Sequence, residues 1–198
     1  MRYLDLCLIG LVSASALADD ISIGVPGYGG NGCPQGSASA ILSPDSKTLT
    51  VLFDQYSAEA GKTSGRKLDR KACNLAIPVH IPQGLSISIL SIDYRGFNSL
   101  PSGGVSEMNV EYFFAGSRGP QYRKRFYGPV SSDYLLNNTL AAGAIVWSAC
   151  GADTILRANT SVVATTNRSN EQTIITLDSA DIKAGLVYHL QWKRCGGV

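Results

Sequence analysis

Apolar residues recur at every second position through most of this chain. Leu49, Val51 and Phe53 share one parity, and the preceding Ser43-Pro44-Asp45-Ser46-Lys47 has the composition of a turn, which predicts a hairpin of residues 37–42 with 48–53. Leu75, Ile77, Val79 and Ile81 alternate with Asn74, Ala76, Pro78 and His80, the pattern of a strand with one buried face. Pro78 has no N–H for a ladder, so that strand is expected at an edge or with a bulge. Residues 85–94 change parity midway, from Leu85, Ile87 and Ile89 to Leu90, Ile92 and Tyr94, the mark of a β-bulge or of a strand buried on both faces. Across 105–114, Met108, Val110, Tyr112 and Phe114 oppose Glu107, Asn109 and Glu111. Further strands are predicted at 141–148, 153–158, 161–166, 172–177 and 186–192, and only 179–184 has helical character. About nine or ten short strands, with turn signals and no sustained helical period, predict an all-β fold: a two-sheet antiparallel β-sandwich, jelly-roll-like.

The beginning of the chain adds a compartment. Arg2 precedes an apolar run broken only by Asp5, and Ala16-Leu17-Ala18 is a small-x-small cleavage pattern, so residues 1–18 are expected to be a signal peptide. Residues 19–36 form a glycine-rich N-terminal segment, and 37–198 a single sandwich domain. Cys7 falls within the leader, leaving Cys33, Cys73, Cys150 and Cys195 for two disulfides in an oxidising setting. Four cysteines allow three connectivities, and Cys33–Cys73 with Cys150–Cys195 is favoured because each bond ties together one half of the chain. No later apolar run approaches the ~18 residues of a membrane span, so a secreted, extracellular protein without membrane insertion is expected.

A net charge of +2 gives no field for nucleic acid or anionic lipid. No Cys-x-x-Cys or Cys/His spacing suggests a metal, and no cofactor is expected. Gly27-Tyr28-Gly29-Gly30-Asn31-Gly32 matches a phosphate-loop spacing, but Cys33-Pro34 and a strand follow where a helix is needed, so these glycines read as turn residues. His80 and His189 are the only histidines, and both read as surface residues. Glu107 and Glu111 share a face of one strand about 13 Å apart, too far for a glycosidase pair by themselves; Asp54 and Asp93, each beside an aromatic, are better placed. Sequons at Asn137, Asn159 and Asn167 are candidate glycosylation sites on exposed loops.

Two stretches have the composition of binding loops. Residues 93–104 offer Asp93, Tyr94, Arg95 and Phe97 for stacking on sugar rings or gripping a protein, against a plainer reading in which Tyr94 and Phe97 cap the core. Residues 117–129 offer Tyr122, Arg123, Lys124, Arg125 and Tyr127 for a polyanionic glycan or a partner protein, against a solvated hairpin tip. Residues 61–71 read as an exposed basic loop.

Gly32-Cys33-Pro34, Phe53-Asp54-Gln55-Tyr56, Arg70-Lys71-Ala72-Cys73-Asn74-Leu75, Pro82-Gln83-Gly84, Asp93-Tyr94-Arg95-Gly96-Phe97 and Tyr112-Phe113-Phe114-Ala115-Gly116 stand in an order that resembles DUF4360, a domain-of-unknown-function family of secreted fungal and bacterial proteins. The resemblance runs from about Gly30 to Cys195 and implies secretion and a disulfide-held domain. It supplies no catalytic residues. The expectation is a non-catalytic, monomeric protein that contacts an extracellular protein or glycan, with a glycan-binding module and a carboxylate-pair hydrolase as the alternatives.

Overall fold

Inward and outward positions sort cleanly along the strands that the alternation predicts: Thr48–Phe53 and Val105–Phe114 bury every second side chain without exception. The computed structural model describes residues 20–177 and 185–196. The predicted leader and the predicted helical turn at 179–184 lie outside the described residues.

Numbered in chain order, the strands are β1 (Ser22–Ile23), β2 (Gly27–Gly29), β3 (Ala38–Leu42), β4 (Thr48–Phe53), β5 (Ser57–Ala60), β6 (Leu68–His80), β7 (Leu85–Leu100), β8 (Val105–Phe114), β9 (Gln121–Tyr127), β10 (Val130–Thr139), β11 (Thr154–Thr165), β12 (Thr173–Thr176) and β13 (Leu186–Arg194). They form two antiparallel sheets. One has six strands in the order β1-β6-β11-β8-β9, with β2 also on β6; the other has seven in the order β3-β4-β13-β7-β12-β5, with β10 also on β7. Their inner faces share one core, in which Val51, Phe53, Ile92 and Tyr188 meet Ile77, Met108, Val110 and Val162. Side chains of this size contribute ~1.5–3 kcal/mol each when fully buried. Polar groups also join the layers: the Tyr56 hydroxyl meets Thr160 Oγ1 at 2.8 Å, and Thr160 donates to the Cys73 carbonyl.

The parity change in β7 is a bulge. His189 pairs with Ser91 and Leu190 with Ile89, so Leu90 has no partner on β13 and turns outward. Pro78 is accommodated differently from the expectation, because β6 is not an edge strand. The Pro78 carbonyl accepts the Gly24 N–H. In an extended strand a residue's N and C=O point to the same side, so the missing donor faces the two-residue β1 and the long ladder to β11 is intact.

Five of the predicted segments differ from the sequence expectation. Residues 117–129 are not a loop, since 121–127 form β9 at the edge of the six-stranded sheet, and 93–100 are the second half of β7. The basic loop ends at 67, where β6 begins. The segment at 141–148 is not a strand: beyond the 3-10 turn Ala142–Ala144 it runs alongside the start of β7, to which it spends its hydrogen bonds through a single bridge and serine side chains. Residues 153–158 and 161–166 merge into the single strand β11.

Both favoured disulfides form. Cys33–Cys73 is buried and pins the glycine-rich segment to β6, while Cys150–Cys195 ties the loop before β11 to the end of β13. Gly30 makes the first possible: its φ is +135°, and a Cβ there would stand 2.2 Å from the Ala72 carbonyl oxygen.

Candidate functional site

Residues directly opposite one another in an antiparallel sheet project to the same face. On the outer face of the six-stranded sheet that rule assembles polar rows from strands far apart in sequence. Asn74, Asn159, Glu111 and Gln121 form one row across β6, β11, β8 and β9; Ala72, Ser161, Asn109 and Arg123 form the next; Arg70, Val163, Glu107 and Arg125 the third. The first two rows and Arg70 line an open groove of ≈ 310 Å³.

The floor of the groove is pre-organised by its own hydrogen bonds. Asn159 Nδ2 donates to Glu111 Oε2 at 3.2 Å, and Asn109 Nδ2 to Glu107 Oε1 at 3.0 Å. Glu107 Oε2 accepts from Arg123 Nη2 at 2.6 Å and from Arg125 Nη2 at 2.7 Å and Nε at 3.0 Å. The Arg123 hydrogen bond leads in holding the Glu107 carboxyl down to about 2, against a desolvation that works the other way. Glu107 is therefore a permanent anion that neutralises part of the β9 charge, and it has no proton to give at ordinary pH.

The residues singled out in the sequence are divided by the fold. Arg123 and Arg125 join this face, whereas Lys124 lies opposite Met108 on the other parity, exposed at the sheet edge. Tyr127 is 65% exposed at the end of β9. Tyr94 is fully buried and stacks on Tyr122 with ring centroids 4.8 Å apart, so this pair is a core contact between the sheets. Asp93, Arg95 and Phe97 are half-buried on the outer face of β7, part of the other sheet. Asp93 Oδ2 meets His189 Nε2 at 3.0 Å and Oδ1 accepts Asn137 Nδ2 at 2.7 Å. Burial pushes the Asp93 carboxyl up, but the His189 and Asn137 hydrogen bonds and nearby Arg95 outweigh it, leaving it below its ordinary value. Asp54 is remote from Asp93, lining a separate surface hollow with Glu59 and Asp69. His80 pairs through Nδ1 with Asp153 at 2.7 Å on an exposed rim. Asn137 and Asn159 stand within strands β10 and β11, not on loops, and Asn167 in the turn after β11.

Asn74, Asn109, Glu111, Gln121 and Asn159 are the groove residues that the sequence did not mark for binding, although Glu111 stood out as a carboxylate and Asn159 as a sequon. The outward parity of Asn74, Asn109 and Glu111 was visible in the alternation, whereas Gln121 and Asn159 fell outside the predicted strands. Their adjacency was not visible, because it depends on registers between strands as far apart in the chain as Ala72 and Ser161.

Fold and face together define a two-sheet, disulfide-braced sandwich with one open polar side. The chain belongs to DUF4360, described as a domain of unknown function, which matches residues 19–195. A relative from Arthroderma benhamiae, described as an uncharacterized secreted protein, is 36% identical over 169 residues, covering 85% of this chain and 69% of that one. The protein is secreted, and no helix among the described residues is long and apolar enough to cross a membrane. Among solved structures, TmCBM61 in complex with β-1,4-galactotriose matches 85% of this chain and 88% of its own at 9% identity and a TM-score of 0.24. Tailspike protein 4 of bacteriophage CBA120 matches 87% of this chain and 19% of its own at 10% identity and 0.30. Neither likeness is close enough to transfer a function.

Proposed function

We propose that this protein is a non-catalytic, monomeric extracellular binding protein, that its contact surface is the outer face of the six-stranded sheet, and that the ligand there is a glycan. The observation that carries this reading is the amide and carboxylate row Asn74–Asn159–Glu111–Gln121 set in the groove. A sugar hydroxyl donates and accepts at once. Carboxamides offer both functions on one planar group, and an arginine fork adds fixed donors. The groove volume stands at the low end of the ~300–1,000 Å³ typical of small-ligand sites. Protein-binding hot spots are built on aromatic and apolar anchors in desolvated pockets, and these rows supply none.

Two features favour binding over hydrolysis. Glu107 is locked as an anion by two arginines. Glu111 lies four positions along the same strand, ~13 Å away by backbone rise, beyond the spacing of a paired acid and base. The same clamp weakens the reading of β9 as a polyanion site, since Arg123 and Arg125 already share a counter-charge.

A glycan array with the purified mature chain, run beside a pull-down from extracellular medium, tests the reading. Binding to defined glycans should be lost in an Asn109→Ala, Glu111→Gln double variant and kept in Phe97→Ala, which alters the opposite sheet. Silence on the array, with a protein captured equally by both variants, would move the function off this face.

A further inference from the structure

The three sequon asparagines differ in hydrogen bonding and in burial, and the two together separate them. An N-glycosidic bond replaces one hydrogen of the asparagine Nδ2 and leaves the other. The folded protein therefore tolerates a sugar only where one Nδ2 hydrogen is uncommitted and space lies beyond it.

Asn137 meets both conditions. It is exposed on β10, which among the described residues pairs only with β7 and so borders the seven-stranded sheet. Its Nδ2 donates a single hydrogen bond, to Asp93, and its Oδ1 accepts from Thr139 Oγ1 at 2.8 Å, the third residue of the same triplet. A sugar on the second Nδ2 position leaves both contacts in place. Asn167 fails the first condition. One Nδ2 hydrogen goes to the Ser102 carbonyl at 2.8 Å and the other to the Glu171 carboxylate, while Oδ1 accepts the Glu171 N–H at 3.1 Å. That carboxamide joins the β7–β8 turn to the β11–β12 turn, and modification removes one of its bonds. Asn159 passes the first condition, its Nδ2 donating once, to Glu111 Oε2 at 3.2 Å, but fails the second. It is half-buried on the floor of the groove in the central strand, flanked in register by Asn74 and Glu111, so a sugar there would have to displace those neighbours.

We propose that Asn137 carries an N-linked glycan in the secreted protein and that Asn159 and Asn167 stay bare. The donor is a lipid-linked diphosphate oligosaccharide. Its C1–O bond to phosphate breaks, the C1–Nδ2 bond forms, and the displaced Nδ2 proton leaves with the lipid diphosphate. The sugar then covers the seven-stranded sheet beside Asp93 and His189, on the opposite side of the molecule from the groove. This assignment does not depend on what the groove binds.

The test is site occupancy in the full chain secreted from a eukaryotic host. Enzymatic deglycosylation in heavy-oxygen water converts each occupied asparagine to a labelled aspartate, which peptide mapping locates. The expected result is label at Asn137 and none at 159 or 167. Thr139→Ala destroys the triplet while keeping the Asn137–Asp93 contact, and should abolish the glycan mass shift. Asn159→Gln should leave that shift unchanged. An unmodified Asn137, or label at Asn159 or Asn167 equal to that at Asn137, overturns the proposal.

Discussion

The two outer faces of the sandwich come from the same alternation and end in different states. On the six-stranded sheet, outward polar side chains bond to one another, Asn159 to Glu111 and Asn109 to Glu107, and the face stays open. On the seven-stranded sheet, residues 146–148 run beside the start of β7 and cover its outward serines. Ser86 and Ser88 donate to the carbonyls of Ser148 and Val146, the Ile87 N–H donates to Ser148 Oγ, and Lys193 lies 4.1 Å over the Trp147 ring. Cys150–Cys195 fastens that cover at its end. What distinguishes the faces is therefore not their composition but whether a neighbouring segment has already taken their hydrogen bonds.

Removing the fastening should break the difference most. A Cys150→Ala, Cys195→Ala variant is expected to lose ~2–4 kcal/mol of stability in chemical denaturation. Hydrogen exchange should rise most at residues 85–91 and 146–149, and in β8 and β11 by no more than the loss of global stability. Equal deprotection of both sheets would mean that the cover is not a separate unit.

The next effect is electrostatic and belongs to the open face. The Glu107 carboxyl is lowered from 4.5 in an unperturbed chain to about 2. A depressed carboxylate contributes stability that is fully present above the unfolded value and is lost as pH falls through the folded one. Stability should thus decline between about pH 4.5 and pH 2, and Glu107→Gln should flatten that part of the profile. An identical acid profile in the variant would show that the Arg123–Glu107–Arg125 clamp does not contribute.

Tyr56→Phe tests the bond between the layers. Losing the hydroxyl contact to Thr160 should cost about 1 kcal/mol, because Thr160 keeps its second bond to Cys73. The smallest effect on stability is expected from Glu111→Gln, within ~0.5 kcal/mol as for surface substitutions generally. If it reduces glycan binding while leaving the melting curve in place, stability and function on this face are separable.

Strand periodicity was legible wherever one side of a strand meets the core and the other meets solvent. β4 and β8 follow that rule, and the parity change around Leu90 pointed to a bulge or a strand buried on both faces, of which the register with β13 shows the bulge. β9 was hidden because Arg123, Lys124 and Arg125 interrupt its alternation. At a sheet edge, charges on both parities stay hydrated, and they also discourage pairing with another chain. Residues 141–148 misled in the opposite direction: their apolar run resembles a strand, but it runs alongside the start of β7 with a single bridge. Tyr94 drew attention as a binding residue through its aromatic and charged neighbours, and the fold makes it core.

The amino-acid sequence alone determined the all-β class, the secreted character and which side of most strands faces inward, because these depend on local alternation and on chemistry carried by short motifs. The preference for Cys33 with Cys73 and Cys150 with Cys195 also came from the chain itself. Only the tertiary structure decided which outward residues become neighbours, which strand ends are covered, and which sequon asparagine is both exposed and left with a hydrogen to spare. Those properties arise from registers between distant strands, and a one-residue shift in any of them would send a different set of side chains to each face.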